Sequence, residues 1–310
     1  MAAPPRTAVL LGAQRFGPTL SSAVADMGIK GRIAVVTAGW QEREDEDQDL
    51  SAALDERTVN LNLHRRGEEL FREDTVFAAA HRERQGQLRV LQDVYRIRLD
   101  HALEAERELR ATTVPESLRD EVEESAIDAI RALDAWHLAQ CARIRSEFEA
   151  KYHPRRRRAV AKHCEEIARL LEDCSAIAIA GGHIAVLVNR LLLFGLDSLV
   201  GDRTVFAWSG GAMAVTERVV LFHDDPPQGH AACEVLDAGL GLVPNVVAFP
   251  EPERRLRLKQ PERVNLLAKR FAPAHCLALP ARSSVVLTGG ELTRSVGAVV
   301  LSPHPRANAS

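Results

Sequence analysis

The stretch from residue 205 to residue 213 reads Val-Phe-Ala-Trp-Ser-Gly-Gly-Ala-Met. An apolar run ends at Ser209, and the small residues after it favour a tight turn into a helix. This is the pattern of a nucleophile elbow, in which a sharp turn between a strand and a helix exposes a serine hydroxyl. Ala207 stands where the strict Gly-x-Ser-x-Gly motif has its first glycine. The alternative interpretation is an ordinary glycine-rich turn between a strand and a helix.

Two further glycine-rich segments lie on either side of this stretch. The pair Gly181-Gly182 follows the apolar run 176–180, and Gly-Leu-Gly-Leu-Val-Pro occupies residues 239–244. The carboxyl ends of parallel strands meet at one edge of a sheet. We therefore expect Gly182 to lie near the start of the helix after Ser209, where backbone N–H groups can donate to a developing oxyanion.

The chain resembles the peptidase E and cyanophycinase family of serine peptidases in three segments, which are 181–182, 208–213 and 239–244. The resemblance is specific over residues 176–258 and weaker over residues 7–38, where only a strand-helix-strand pattern matches. It implies the class I glutamine-amidotransferase-like fold. That fold is a three-layer, flavodoxin-like α/β arrangement around a mostly parallel sheet.

The resemblance also implies roles for individual residues. Ser209 matches the nucleophile, Gly210 the oxyanion donor of the elbow, and Gly182 the second oxyanion donor. The implied function is a serine hydrolase that cleaves an amide bond in a small peptide through an acyl-enzyme at Ser209, without a cofactor. A glutamine amidotransferase proper is disfavoured, because its nucleophile would be a cysteine.

The chain departs from the family pattern at the catalytic histidine. Residues 247–258 keep the Arg-x-Arg texture of the family but contain no histidine, and Glu251 stands in the corresponding position. Imidazole suits proton transfer near neutral pH, whereas a carboxylate is a poor base there. The family's Gly-Gly-Asn also reads Gly-Gly-His here, and its Ser-Ala-Gly reads Ser-Gly-Gly.

Three interpretations of the missing histidine are open. In the first, the site is inactive, and the chain is a ligand-binding or assembly protein that uses its helical insertion. In the second, His183, His223 or His230 reaches Ser209 from a neighbouring loop; His223 is the most suggestive, because two acids follow it and an acid can orient an imidazole. In the third, Glu251 itself is the base, which requires a buried carboxyl.

A change in composition divides the chain. Residues 1–63 and 176–310 contain the short apolar runs of an α/β domain, whereas residues 64–175 are far richer in charged side chains. We therefore predict one α/β domain in two parts, interrupted by a helical insertion that has no counterpart in the family. We also predict that the runs 284–287 and 298–301 pair with each other at the end of the chain.

Apolar residues recur at helical spacing through the insertion. They are Leu88, Leu91, Tyr95, Leu99 and Leu103, followed by Val122, Ala126, Ile130, Leu133, His137, Cys141, Ile144 and Phe148. The break at residues 112–115 predicts a hairpin of two long amphipathic helices. Their apolar faces must pack on each other, on the α/β body or on a second copy of the chain. A homo-oligomer formed through the insertion is therefore one hypothesis.

Charge balance and composition limit the other function classes. With 40 Lys+Arg against 43 Asp+Glu, the net charge of −3 argues against a nucleic-acid or anionic-membrane binder. No apolar run approaches the ~20 residues that span a bilayer. The five cysteines have neither Cys-x-x-Cys nor zinc-ligand spacing, which indicates a reduced, cytoplasmic protein without a metal site. Residues 12–17 lack the Gly-x-Gly-x-x-Gly order of a dinucleotide site.

Overall fold

The computed structural model describes residues 7–15, 17–224 and 232–303. Its strands are β1 (Thr7–Leu11), β2 (Arg32–Val36), β3 (Thr58–Asn60), β4 (Cys174–Ile179), β5 (Thr204–Trp208), β6 (Arg218–Leu221), β7 (Glu234–Ala238), β8 (Val246–Pro250), β9 (His275–Leu279), β10 (Ser284–Thr288), β11 (Glu291–Val296) and β12 (Val299–Leu301). Its α-helices are α1 (Leu20–Asp26), α2 (Gln48–Ala52), α3 (Leu63–Glu73), α4 (Thr75–Ala111), α5 (Glu116–Tyr152), α6 (Arg158–Glu172), α7 (Ile184–Leu193), α8 (Leu196–Leu199), α9 (Gly210–Ala214), α10 (Pro252–Arg255) and α11 (Pro261–Phe271). Short 3₁₀ turns cover Ala38–Arg43 and Pro154–Arg156.

Seven strands form the central sheet, in the order β11-β10-β1-β5-β4-β2-β3. The five strands from β1 to β3 in that order run parallel, and β10 and β11 extend the sheet with antiparallel pairing. Strands β1, β2, β4 and β5 are almost continuously apolar and buried, as expected for parallel strands covered on both faces. The predicted mostly parallel α/β sheet is confirmed.

Successive side chains of these strands enter two different apolar cores. On β1, Val9 and Leu11 pack with Leu20 and the rest of α1, whereas Leu10 belongs to the larger core on the opposite face. That larger core includes apolar residues of α3, α4, α5 and α7. The sheet therefore lies between two helical layers. The finer assignment to the glutamine-amidotransferase-like class stays a prediction.

Helices α4 and α5 form the predicted long hairpin, turning at residues 112–115. The α5 residues of the predicted apolar face are buried from Ala126 to Phe148, and Tyr95 and Leu99 of α4 are fully buried opposite them. Neither helix is apolar all round, and within the described ranges no helix has the length and hydropathy needed to cross a membrane.

The hairpin packs on the α/β body through a buried polar network. Arg270 of α11, only 2% exposed, donates to both carboxylate oxygens of Asp134 at 2.7 Å. The hydroxyl of Tyr95 donates to Asp134 at 2.7 Å and accepts from the Val235 amide at 3.1 Å. Residues of α4, α5, α11 and β7 thus share one set of hydrogen bonds. The hairpin thus packs on two of the three predicted surfaces, the partner helix and the body, and packing on a second copy stays a prediction.

The predicted pairing at the end of the chain is wrong. Strand β10 pairs with β1 and β11, whereas β12 pairs with β9 in a separate three-stranded sheet with β8. Residues 289–290 are glycines with positive φ, and they turn the chain directly from β10 into β11. A tight glycine turn makes the adjacent strand the nearest partner, although all side chains of β11 are exposed.

Candidate active site

Ser209 occupies the turn between β5 and α9, in a backbone conformation that non-glycine residues rarely adopt. Its φ is 49° and its ψ is −128°, and α9 begins at the next residue. Such a conformation costs on the order of 1–3 kcal/mol and persists only where the surroundings impose it. The strand-turn-helix context of the nucleophile elbow is therefore present, with the strained serine at its apex.

Glycines allow the end of β4 to approach this turn. A Cβ atom on Gly181 would lie 2.6 Å from Ser209 Cβ and 2.9 Å from the Gly210 nitrogen, and one on Gly211 would lie 2.1 Å from the Ile179 carbonyl oxygen. These distances are far shorter than van der Waals contact. Only residues without a side chain fit here, which explains the Gly-Gly pairs at the ends of both strands.

The backbones of Gly182 and Gly210 meet beside Ser209. A Cβ atom on Gly210 would lie 3.6 Å from the Gly182 nitrogen, and Gly182 itself has a φ of +109°. Within the part of the chain that the structure describes, neither N–H donates a hydrogen bond. Free N–H groups at the start of a helix are the usual donors to an oxyanion.

These residues line one cavity, which we call the serine cavity. Its volume is about 480 Å³, and its wall includes Ser209, Gly182, Gly210, His223 and Glu251. The structure thus brings the five site residues of the sequence analysis around one space, although they come from four separate segments of the chain. Met213, Phe222 and Pro250 supply apolar surface.

His223 contributes an imidazole whose Nδ1 atom is buried and has no hydrogen-bond partner among the described residues. The expected orienting acid is used elsewhere, because Asp224 accepts from Arg263 at 2.6 Å and from the Arg257 amide at 2.7 Å. The second acid, Asp225, lies outside the described residues. The Asp224 part of the orienting-acid prediction is therefore wrong.

Glu251 lies at the end of β8 in a left-handed conformation, with a φ of 52°. Its carboxylate accepts a hydrogen bond from Arg255 at 3.2 Å, four residues further along the chain. Glu251 therefore faces the serine cavity as one partner of an ion pair.

Of the other two candidate histidines, the structure describes His183. His183 precedes α7, and its Nδ1 accepts from the Val186 amide at 3.3 Å, so that its side chain caps the helix. It is absent from the wall of the serine cavity. His230 lies outside the described residues.

Two charged residues of this wall, Arg96 and Glu234, were not predicted from the sequence. Arg96 of α4 donates to both carboxylate oxygens of Glu234, at 2.9 and 3.1 Å, and this hydrogen bonding raises the pKa of Arg96. Gln92 donates to the same carboxylate at 3.0 Å. No local motif marks Arg96, because it stands on the polar side of an amphipathic helix. The hairpin thus contributes directly to the wall of the serine cavity.

The geometry supplies most parts of an acyl-transfer site. It contains a strained serine, two backbone N–H groups that have no acceptor among the described residues, and an apolar wall. In the described ranges the Ser209 hydroxyl makes no hydrogen bond to a base, although apo sites often have long or loose catalytic hydrogen bonds. Groups of three or more metal-ligating side chains do not occur among the described residues.

Comparisons with known proteins give likenesses in structure. No protein-family profile matches the chain, and neither does any curated protein. A peptidase from an acI-B1 actinobacterium superposes with a TM-score of 0.47 at 11% identity, over 98% of this chain and 93% of that one. A Listeria monocytogenes EGD-e protein, provisionally named peptidase E, superposes with a TM-score of 0.30 at 15% identity, over 44% of this chain and 65% of that one. Because both TM-scores are low, any functional conclusion depends on the serine cavity itself.

Proposed function

We propose that the protein is a serine hydrolase of the peptidase E type, which cleaves an amide bond in a small peptide through an acyl-enzyme at Ser209. The observation that carries this proposal is the strained φ and ψ of Ser209 at the β5–α9 turn, inside a cavity that Gly182 and Gly210 also line. Strain of this kind is concentrated at functional sites, and an ordinary glycine-rich turn does not need a serine at the strained position.

The reaction follows from the positions of these groups. The Ser209 oxygen attacks the peptide carbonyl carbon while its proton passes to a base, and the carbonyl oxygen becomes an oxyanion. The N–H groups of Gly210 and Gly182 donate to that oxyanion. The C–N bond then breaks, the amine leaves with the proton from the base, and water hydrolyses the remaining ester to regenerate Ser209.

His223 is the base that we propose for this reaction. It lines the serine cavity, and its buried Nδ1 atom has no hydrogen-bond partner among the described residues. An imidazole exchanges protons near neutral pH. Glu251 is the weaker candidate, because Arg255 already holds its carboxylate.

A fluorophosphonate probe tests the proposal directly, because it reacts covalently with an activated serine. We expect labelling of the wild-type chain, none of Ser209→Ala, and a strong reduction in His223→Gln. Ser175→Ala is the matched control, since Ser175 is an exposed serine of the neighbouring strand β4. If the wild-type chain is not labelled between about pH 4 and about pH 9, the hydrolase proposal fails.

A second function, that of an inactive relative acting as a ligand-binding or assembly protein, has one observation in its favour. The Ser209 hydroxyl has no hydrogen-bonded base among the described residues. In that case a small peptide or amide binds in the serine cavity without being cleaved. The absence of labelling, together with saturable binding of such a peptide, would favour this function over the hydrolase.

A further inference from the structure

A second cavity lies between the helical hairpin and the α/β body. Its volume is about 520 Å³, which is within the range of small-molecule sites. Helices α4, α5 and α7 and strand β7 contribute its wall, which has no residue in common with that of the serine cavity. We call it the arginine cavity, because its wall contains Arg84, Arg89, Arg145 and Arg155.

Arg84 is the unusual residue of this cavity. Its guanidinium carbon lies 4.4 Å from the centre of the Phe148 ring, and its Nε atom is buried without a hydrogen-bond partner among the described residues. A buried N–H group without an acceptor destabilises the fold. An acceptor supplied by a ligand would remove that cost.

Arg145 faces the same space and adds a second charge. One of its terminal nitrogens pairs with Asp237, but its Nε atom is also buried and without a partner in the described ranges. Burial and the nearby charge of Arg145 lower the pKa of Arg84 to about 10. The positive charges of Arg84 and Arg145 therefore lie close together, and Asp237 is the carboxylate paired with Arg145.

Three acidic residues line the same wall as the four arginines, and they are Glu149, Asp197 and Asp237. The charge of Glu149 raises the pKa of Arg84 and of Arg145, but the opposite effect of burial is larger at both. Of the ion pairs between described residues, only Arg145–Asp237 joins an acid and an arginine of this wall. The wall also has apolar residues, which include Phe148, Val188 and Leu192. The cavity thus combines unsatisfied cationic donors with a hydrophobic surface.

We propose that the arginine cavity binds a small organic anion, a phosphate or a carboxylate carried on an apolar body. The oxyanion accepts from the guanidinium groups of Arg84 and Arg145, and the apolar body packs against Phe148 and α7. Guanidinium groups recognise both kinds of oxyanion through paired N–H donors. This proposal does not depend on hydrolase activity, because none of its residues lines the serine cavity.

Isothermal titration calorimetry with phenyl phosphate, phenylacetate, inorganic phosphate and phenol tests the proposal. We expect saturable binding of at least one of the two aromatic anions, weaker binding of inorganic phosphate, and none of phenol. The affinities for phenyl phosphate and phenylacetate show whether the cavity prefers a phosphate or a carboxylate. Arg84→Met should weaken binding of the better one at least about tenfold, because it removes a hydrogen bond between two charged groups.

Arg119→Met is the matched control, since it removes an exposed arginine near the turn of the hairpin. It should bind the anion as the wild-type chain does. Thermal melting without ligand checks folding: Arg84→Met should melt at or above the wild-type temperature, because it removes a repelling, unsatisfied charge. The proposal is overturned if neither anion binds below about 10 mM, or if a folded Arg84→Met binds as tightly as the wild type.

Discussion

The serine cavity and the arginine cavity are built in opposite ways. Around Ser209 the decisive groups belong to the backbone, namely a strained turn, two N–H groups and glycines that let two strand ends approach each other. Around Arg84 the decisive groups are the ends of long side chains, which helices α4 and α5 bring together when they pack on the body. Gln92 lies between the two, lining the arginine cavity while donating to Glu234 of the serine cavity.

This difference indicates which mutations should disrupt each site. At the serine cavity, Gly181 and Gly211 have no room for a Cβ atom. The arginine cavity depends instead on the contacts that hold the helices of the hairpin against the body. In this protein the Arg270–Asp134–Tyr95 network joins the hairpin to the body. Mutations in the two regions should therefore differ in size and in cause.

The largest effect is expected at the network. Asp134→Ala leaves Arg270 buried without its carboxylate, which should lower the free energy of unfolding by about 4 kcal/mol. Urea denaturation followed by circular dichroism measures this. Asp128→Ala removes an exposed acid of the same helix and should change stability by less than about 1 kcal/mol. Equal losses in the two variants would mean that the network does not hold the hairpin.

The next effect concerns the elbow. Gly211→Ala places a methyl group on the Ile179 carbonyl and should lower the free energy of unfolding by about 3 kcal/mol. Gly86→Ala is the control in α4, where no atom lies within 4 Å of the added carbon. It should raise stability by up to about 1 kcal/mol, because alanine favours a helix. If the denaturant midpoints of both variants moved in the same direction, that result would contradict the comparison.

The third effect, which is the smallest when taken over one pH unit, is a dependence of stability on pH at the hairpin. His81 is buried, and burial together with the charge of Arg84 lowers its pKa from 6.5 to about 3. As pH falls below 6.5 the unfolded chain binds a proton at His81 before the folded chain does. Stability should therefore fall between about pH 6.5 and about pH 3, by up to about 1.4 kcal/mol per pH unit from this residue.

Denaturation at a series of pH values measures that slope. His81→Phe keeps a ring among Phe71 and Phe148 and should flatten it. His101→Gln, at an exposed position of the same helix, should leave the slope as it is in the wild type. A His81→Phe variant with the wild-type slope would assign the pH dependence to other groups.

The elements that could be predicted are those whose signal lies in neighbouring residues. The elbow at Ser209 and the two long helices follow from local patterns, because a tight turn restricts residue type and an amphipathic helix repeats its apolar positions. The partner of β12 could not be predicted in this way. Its apolar run fits either sheet edge, and only the glycine turn at residues 289–290 and the position of β9 decide the pairing.

The candidate site divides in the same manner. Ser209, Gly182 and Gly210 could be placed at one edge of the sheet because parallel strands align their carboxyl ends. Their catalytic roles stay predictions, as do those of His223 and Glu251. That Asp224 binds Arg263 instead of His223 could not be anticipated, since Arg263 is distant in sequence and meets Asp224 only in the folded chain.

By itself, then, the sequence determined the parallel α/β core, the strained turn at Ser209 and the long helical hairpin, because each depends on the conformational preferences and apolar spacing of nearby residues. Only the tertiary structure decided what the hairpin does. Arg96 in the serine cavity and Arg84 in the arginine cavity are both polar positions of the same amphipathic helix. Docking pairs Arg96 with Glu234 and buries the Nε atom of Arg84, and neither environment follows from the sequence of the helix alone.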